Sequence, residues 1–214
     1  MAITWDIRWP MSEGKGSVAT NVAPSGSIYR ANLTNCEWYY DSVRKTCVKM
    51  NGTSSRICKQ VDPLYGITTL TVGGWFKLDS LKSQTLFQLH TTKTVAWVYA
   101  SPNGSISFTT YDTSGSTITS DTLTTGASVV AAGTWYHVVA SVHGTTKNIW
   151  VNGAISKAAT HSITMGWRGD KPELVVGSFH YGDKFYLPLD GLVQSVRLTD
   201  DSTVADADVA AWYT

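Results

Sequence analysis

The chain is predicted to fold as an all-β antiparallel sandwich closed by one short C-terminal helix, and three observations carry that prediction. Apolar and polar residues alternate with period two along most of the 214 residues. Tight-turn formers recur between the alternating runs: Asn51-Gly52, Pro102-Asn103-Gly104, Ser114-Gly115, His143-Gly144, Asn152-Gly153 and Gly182-Asp183. Nine Trp and ten Tyr suit pleated, half-buried surfaces better than helices.

Taken in order, the alternation places strands near 4–9, 45–50, 55–60, 68–78, 84–90, 93–100, 104–111, 117–123, 134–142, 146–152, 172–178 and 187–199. TVGGWFKL and LVQSVRL are long enough to cross the centre of a sheet. In GTWYHVVASVHGTTKNIWVNG, Trp135, His137 and Val139 share one face and Tyr136, Val138 and Ala140 the other. His137 therefore reads as a packed sheet residue with satisfied ring nitrogens. After the last strand, Asp206 is placed to cap the helix ADVAAWY. No Pro-rich or low-complexity linker divides the chain, so residues 1–214 read as a single domain.

Composition narrows the function classes. A hydrophobic content of 43% supports a real core, while charged residues reach only 15%. With a net charge of +1 and no basic run, nucleic acid is not an expected partner. No apolar run approaches the roughly 18 residues of a membrane span, and no cationic-then-apolar export signal opens the chain.

The three cysteines, Cys36, Cys47 and Cys58, leave two readings open. They are free thiols, or a hairpin around Asn51-Gly52 brings Cys47 and Cys58 opposite one another as a disulfide. Arg168-Gly169-Asp170 and three Asn-x-Ser/Thr triplets are short matches and carry no assignment.

Several segments occur in an order that resembles a laminin-G-like jelly roll of the concanavalin A-like lectin and glucanase superfamily. These are DIRWPMSEGKGSVATNVAPSG, KTCVKMNGTSSRICKQ, LTVGGWFKLDS, GTWYHVVASVHGTTKNIWVNGAI, LVVGSF and the closing LDGLVQSVRLTDDSTVADADVAAWY. The resemblance implies a concanavalin A-like jelly roll and, in calcium-binding members, acids after the first Asn-Gly turn and in the penultimate strand. Here those positions read Thr53, Ser54, Ser55 and Gln194-Ser195, with Asp190 the nearby acid, so the carboxylates a Ca²⁺ ion needs are missing. No cofactor is expected.

The glucanase branch uses paired carboxylates on one strand. This chain has three glutamates, Glu13, Glu37 and Glu173, none sharing a strand with another acid at alternate spacing. The five histidines show no i, i+2 or i, i+4 pairing, so no metal site is written locally. The expectation is therefore no enzyme, no catalytic residue and no metal ligand.

Binding is the remaining class. Candidate ligand-binding aromatics are Trp97 and Tyr99 on one face of KTVAWVYA, Tyr111 at the end of the next strand, Trp167 in MGWRGDKPE, and His180 and Tyr181 in the following turn. For Trp97 and Tyr99 the alternative is the sandwich core. Laminin-G-like folds work outside cells, and a stand-alone copy without an export signal suits a virion. The leading expectation is thus a non-enzymatic phage or viral structural protein, such as a capsid decoration, collar or tail-fibre subunit. It would contact other virion proteins, host glycans and copies of itself. A carbohydrate-binding lectin module of an extracellular protein is the alternative, and a glycoside hydrolase the third.

Overall fold

The computed structural model describes residues 5–161, 163–169 and 171–214. Among these residues eighteen strands, two short 3-10 helices (Gly26–Tyr29 and Asp62–Leu64) and one α-helix follow in chain order. The first half comprises β1 (Ile7–Trp9), β2 (Val18–Ala19), β3 (Ala31–Thr34), β4 (Cys36–Asp41), β5 (Lys45–Asn51), β6 (Arg56–Gln60), β7 (Leu70–Leu78), β8 (Gln84–His90) and β9 (Thr94–Ala100). The second comprises β10 (Ile106–Asp112), β11 (Thr119–Thr124), β12 (Trp135–His143), β13 (Thr146–Val151), β14 (Ala154–Thr160), β15 (Glu173–Val176), β16 (Phe179–Tyr181), β17 (Lys184–Tyr186), β18 (Asp190–Thr199) and α1 (Asp206–Tyr213).

Two antiparallel sheets make the sandwich. The first runs β14-β13-β12-β7-β18-β5-β4, with β1 also on β18; the second runs β11-β10-β9-β8-β15-β6-β3-β2. β16 and β17 form a separate two-stranded flap. The period-two pattern explains the layering, because each strand sends alternate residues inward. Val138, Ala140 and Val142 from the first sheet meet Phe87, Leu89, Val98 and Phe108 from the second in one buried cluster. Phe76 and Phe87 meet edge to face across it at 5.1 Å. At one side of the core Lys147 is buried, and its ammonium donates to the Asp121 carbonyl at 2.8 Å and carboxylate at 3.1 Å, tying β13 to β11. No helix among the described residues is long and apolar enough to cross a membrane.

The expected strands are present with ends moved by a few residues, and the one expected at 4–9 starts later, residue 4 lying outside the described residues. Two expectations need correction. β5 and β6 do not pair: β5 lies between β4 and β18, and β6 between β3 and β15, in the other sheet. Cys47 faces Tyr39 and Cys58 faces Asn32 and Val175, so no Cys47–Cys58 disulfide forms and all three thiols are free. The Asn51 carboxamide explains the departure. Its Oδ1 accepts from the backbone N–H of Thr53, Ser54 and Ser55 at 2.9–3.1 Å, which coils the loop and sends the chain across to the second sheet. Burial pushes the thiols of Cys36 and Cys47 up to about 11 and that of Cys58 up to about 12, so none is a thiolate at neutral pH.

The second correction concerns the helix. Ala205, not Asp206, is the N-cap; the Asp208 carboxylate takes the Ala205 N–H at 2.9 Å, and Asp206 takes the Trp150 indole N–H at 3.0 Å. Asp206 thus pins the helix to the sheet rather than capping it. α1 covers the outer face of the first sheet through Val209 and Trp212, which pack on Val139 and Trp150. Gly73 makes the floor: a Cβ there would stand 2.7 Å from Val139 Cγ2 and 2.8 Å from the Trp212 ring.

Beneath the helix His137 is 0% exposed, as a packed sheet residue should be, with Trp75, Trp212 and Tyr213 around its ring. Its ring nitrogens, however, have no hydrogen-bond partner among the described residues. Burial, with Arg197 and Arg44 nearby, holds its pKa down to about 3. An unfolded histidine titrates near 6.5, so the unfolded chain binds the extra proton first as the pH falls. Stability contributed by the neutral ring is complete above about pH 6.5 and declines toward pH 3. Urea unfolding of His137→Leu is expected to show a shallower loss of stability across that window than the parent; equal slopes would remove His137 as the cause.

Candidate functional site

The outer face of the second sheet differs from that of the first. Alternation in β10 sends Ile106 and Phe108 into the core and Ser107, Thr109 and Tyr111 outward. Ser107 and Thr109 pair hydroxyl to hydroxyl with Thr124 and Thr122 of β11, at 2.9 and 2.8 Å. On β9, Val95, Ala96, Val98 and Ala100 are core residues while Trp97 and Tyr99 are half-buried on the outer side. Of the two readings for this pair, the structure selects the outer face. The rings stack at 4.0 Å, and the indole N–H of Trp97 donates to Thr85 Oγ1 at 3.2 Å.

Over this face lies the β16–β17 flap. Phe179 packs on Trp97 at 4.8 Å. Phe179 and Tyr181, two apart on β16, share a side. With Lys93, Thr94, Tyr111 and Ile118 they line an open groove of about 190 Å³. The Lys93 ammonium sits over the Tyr181 ring at 5.4 Å. Burial, with Tyr99 second, raises the Tyr111 phenol above its usual range, keeping it a neutral donor and acceptor. Among the described residues the groove lining contains no carboxylate.

The flap has no ladder to the main sheet, and Gln88 of β8 replaces one. Its Oε1 accepts the His180 backbone N–H at 2.6 Å, and its Nε2 donates to the His180 carbonyl at 3.0 Å and to Thr94 Oγ1 at 2.8 Å. Gln88 is fully buried, so these bonds form away from competing water.

On the other side of β16, His180 turns toward β8 and β15. Its Nδ1 lies 2.9 Å from His90 Nε2 and 3.1 Å from Glu173 Oε2, and His90 Nε2 lies 3.0 Å from the same oxygen. Burial works to raise the Glu173 carboxyl, but hydrogen bonds and charge from His90 and His180 outweigh it and leave it lowered.

The fold therefore brings Trp97, Tyr99, Tyr111 and Tyr181 to one face, with His180 on the reverse of the flap strand. Trp167 lies apart from them: its indole N–H donates to Ile67 O at 2.8 Å and its ring leans on Tyr65 and the core, anchoring its own loop. Next to it the Arg168 carbonyl accepts from the hydroxyls of Thr91 and Thr92, and Asp170 of the tripeptide lies outside the described residues. Sequence reasoning missed Lys93, Thr94, Ile118 and Phe179 in the groove, and His90 and Glu173 beside it. Phe179-His180-Tyr181 is too short a run for alternation to mark it as a strand, and the pairing of His90 with Glu173 left no local signal.

The place where calcium binds in related folds does not suit a hard cation here. Ser54 and Ser55 are engaged with Asn35 and Asn51, Gln194 with the carbonyls of Arg44 and Thr46, and Asp190 with Lys82. A single carboxylate already facing an ammonium is a poor calcium ligand set.

A family model described as the concanavalin A-like lectin/glucanases superfamily, of laminin-G type, matches residues 51–210. The chain belongs to this superfamily. No curated protein matches it in sequence. Among solved structures it is similar to domain 4 of AbnA, an extracellular arabinanase of glycoside hydrolase family 43 from Geobacillus stearothermophilus, determined with arabinotriose. That match has 15% identity, a TM-score of 0.72 and full coverage of both chains. It is also similar to the botulinum neurotoxin serotype G binding domain, at 11% identity and a TM-score of 0.74, over 98% of this chain and 50% of that one. The superfamily member thus spans about half the length of the toxin domain. At these identities the likeness is one of fold.

If Gln88 docks the flap, Gln88→Ala should raise amide hydrogen exchange across residues 179–186 while leaving β7 and β12 protected. The lost bonds correspond to about 1–3 kcal/mol of local opening. Unchanged exchange in the flap would show that other contacts hold it.

Proposed function

We propose that this superfamily member is a non-enzymatic binding module whose second sheet takes an oligosaccharide along its outer face. The observation that carries the reading is the set of partly exposed aromatic rings, Trp97, Tyr99, Tyr111, Phe179 and Tyr181, bordering the exposed Thr122 and Thr124 of β11, whose hydroxyls pair with the buried Thr109 and Ser107 of β10. Sugars present C–H faces that pack on aromatic rings and hydroxyls that exchange hydrogen bonds with polar side chains, and ligand sites combine these two features. The groove of about 190 Å³ has room for roughly six waters, the order of one sugar ring. Its lining lacks the pair of carboxylates that glycoside hydrolysis requires, which supports binding without cleavage. The AbnA domain observed with arabinotriose lends further support.

Glycan-array screening followed by calorimetry tests this. Tyr111→Ala and Tyr181→Ala are each expected to weaken the best ligand about tenfold, or roughly 1.4 kcal/mol, with little change in Tm. No new reducing ends should appear on prolonged incubation. A wild-type protein that binds no glycan, or that releases sugar, overturns the proposal.

A second reading, a virion subunit acting in the particle, is favoured by a different surface. Edge strand β4 and its turn expose Tyr39, Tyr40 and Val43, at 51%, 68% and 69%. Tyrosines are enriched at protein contacts. The protein is expected to co-purify with particles through density-gradient centrifugation, and its recovery only in the particle-free fraction counts against this role.

A further inference from the structure

We propose that His90, Glu173 and His180 form a binding site for one divalent transition metal ion of the zinc class, which fastens the β16–β17 flap to the second sheet. The inference stands apart from the glycan reading and does not require it.

The three side chains come from three strands and converge on a point. His90 ends β8, Glu173 begins β15 directly opposite it in the ladder, and His180 is the middle residue of β16. The ligand atoms, His90 Nε2, His180 Nδ1 and Glu173 Oε2, are mutually 2.9, 3.0 and 3.1 Å apart. The centre of such a triangle lies about 1.7 Å from each corner, so an ion about 1 Å above its plane meets all three at roughly 2 Å, the usual zinc–nitrogen and zinc–oxygen distance. Among the described residues, no other three His, Cys, Asp or Glu side chains converge in this way.

Proton accounting shows that the His90 lone pair points into the same site. His90 Nδ1 lies 2.6 Å from the Thr91 carbonyl oxygen, which only accepts, so the proton of a neutral ring is on Nδ1. Nε2 then presents a bare lone pair to the Glu173 carboxylate, another acceptor. The three atoms need a shared positive or hydrogen-bearing centre: a proton on His180 Nδ1 donated to His90 Nε2 and Glu173 Oε2, or a metal ion in their midst. A histidine that ligates through one nitrogen while donating the other N–H to a backbone carbonyl has the usual outer-shell support of a metal ligand.

The remaining ligands are also held in advance. Gln88 fixes the His180 backbone on both sides, and the His180 ring stacks on Phe185 at 4.2 Å, with the Arg56 guanidinium over Phe185 at 4.0 Å. His90 is 8% exposed, whereas the side chains of Glu173 and His180 are 27% and 23% exposed, leaving a way in for an ion. Two imidazoles and one carboxylate suit Zn²⁺, Ni²⁺, Co²⁺ or Cu²⁺, and disfavour Ca²⁺ and Mg²⁺, which take oxygen ligands. Three protein ligands leave at least one coordination position for water.

The test uses untagged protein stripped with chelator. Calorimetry with Zn²⁺ is expected to give one ion per chain at micromolar or tighter affinity, with Tm rising as zinc is added. Separate His90→Ala and His180→Ala variants should each weaken binding at least 100-fold, while His143→Ala leaves it unchanged. Because a variant can lose its fold, the wild type itself supplies a second readout: its Cu²⁺ adduct should show splitting from two equivalent-type nitrogens in electron paramagnetic resonance. Absence of stoichiometric zinc binding overturns the proposal. So does zinc affinity that is unchanged in both folded variants, or a copper spectrum without nitrogen splitting.

Discussion

The aromatic groove on the second sheet depends on one buried carboxamide. Gln88 gives the β16–β17 flap the donor and acceptor that a neighbouring strand would give, through its paired bonds to the His180 backbone. A strand without a partner has unsatisfied peptide groups, and burying them is costly. With Gln88 in place the flap can lie on β8 without joining the sheet, and β8 becomes buried along its whole length. Phe179 then reaches Trp97, and Tyr181 faces Tyr111 across the groove. A nonpolar residue at 88 would leave the His180 backbone N–H and carbonyl without these partners, and the flap held by its ring contacts and by the His180 imidazole at Glu173 and His90.

The two outer faces of the sandwich show what different coverings do. On the first sheet, α1 seals Val139, Trp150 and His137 under Val209 and Trp212, and the seal is tight enough to leave the His137 nitrogens without partners. The part of that face under the helix is closed, whereas farther along the same sheet Glu37, Tyr39, Lys49, Lys77, Asp79 and Leu192 line an open groove of about 320 Å³. On the second sheet the covering is six flap residues and a turn, so rings of the same kind remain half-exposed. The contrast is one of coverage, since both faces carry Trp and Tyr. Composition alone therefore could not have told a binding face from a second core.

Much of the fold was legible because alternation is a local signal. β8, β12 and the closing β18 appear close to where period two places them, and the order of motifs identified the superfamily before any pairing was known. Weakly patterned strands were not legible: β14 is an edge strand whose AISKAAT is almost wholly outside the core, and the three-residue strands of the flap look like turn. Pairing partners were illegible for a different reason. An Asn-Gly turn between two short strands usually means a hairpin, but Asn51 coils the loop and β5 and β6 find better partners in opposite sheets. The Cys47–Cys58 alternative failed with it, and the free-thiol reading stands. The same limit hid the His90, Glu173 and His180 cluster, whose members are 83 and 90 positions apart in sequence.

Phe179, His180 and Tyr181 connect these threads through the pleat. Successive side chains of a strand point to opposite sides, so β16 must present His180 to Glu173 and His90 when it presents its two flanking rings to the groove. One rigid orientation of three residues serves both surfaces. Anything that immobilises His180 therefore lowers the ordering cost of a ligand held by Phe179 and Tyr181. Linkage makes the effect mutual: an ion that tightens sugar binding by some factor is itself bound tighter by that factor when the sugar is present. The coupling needs no change of shape elsewhere in the sandwich, because the flap alone is the shared element and its attachment to β8 is a matter of a few hydrogen bonds.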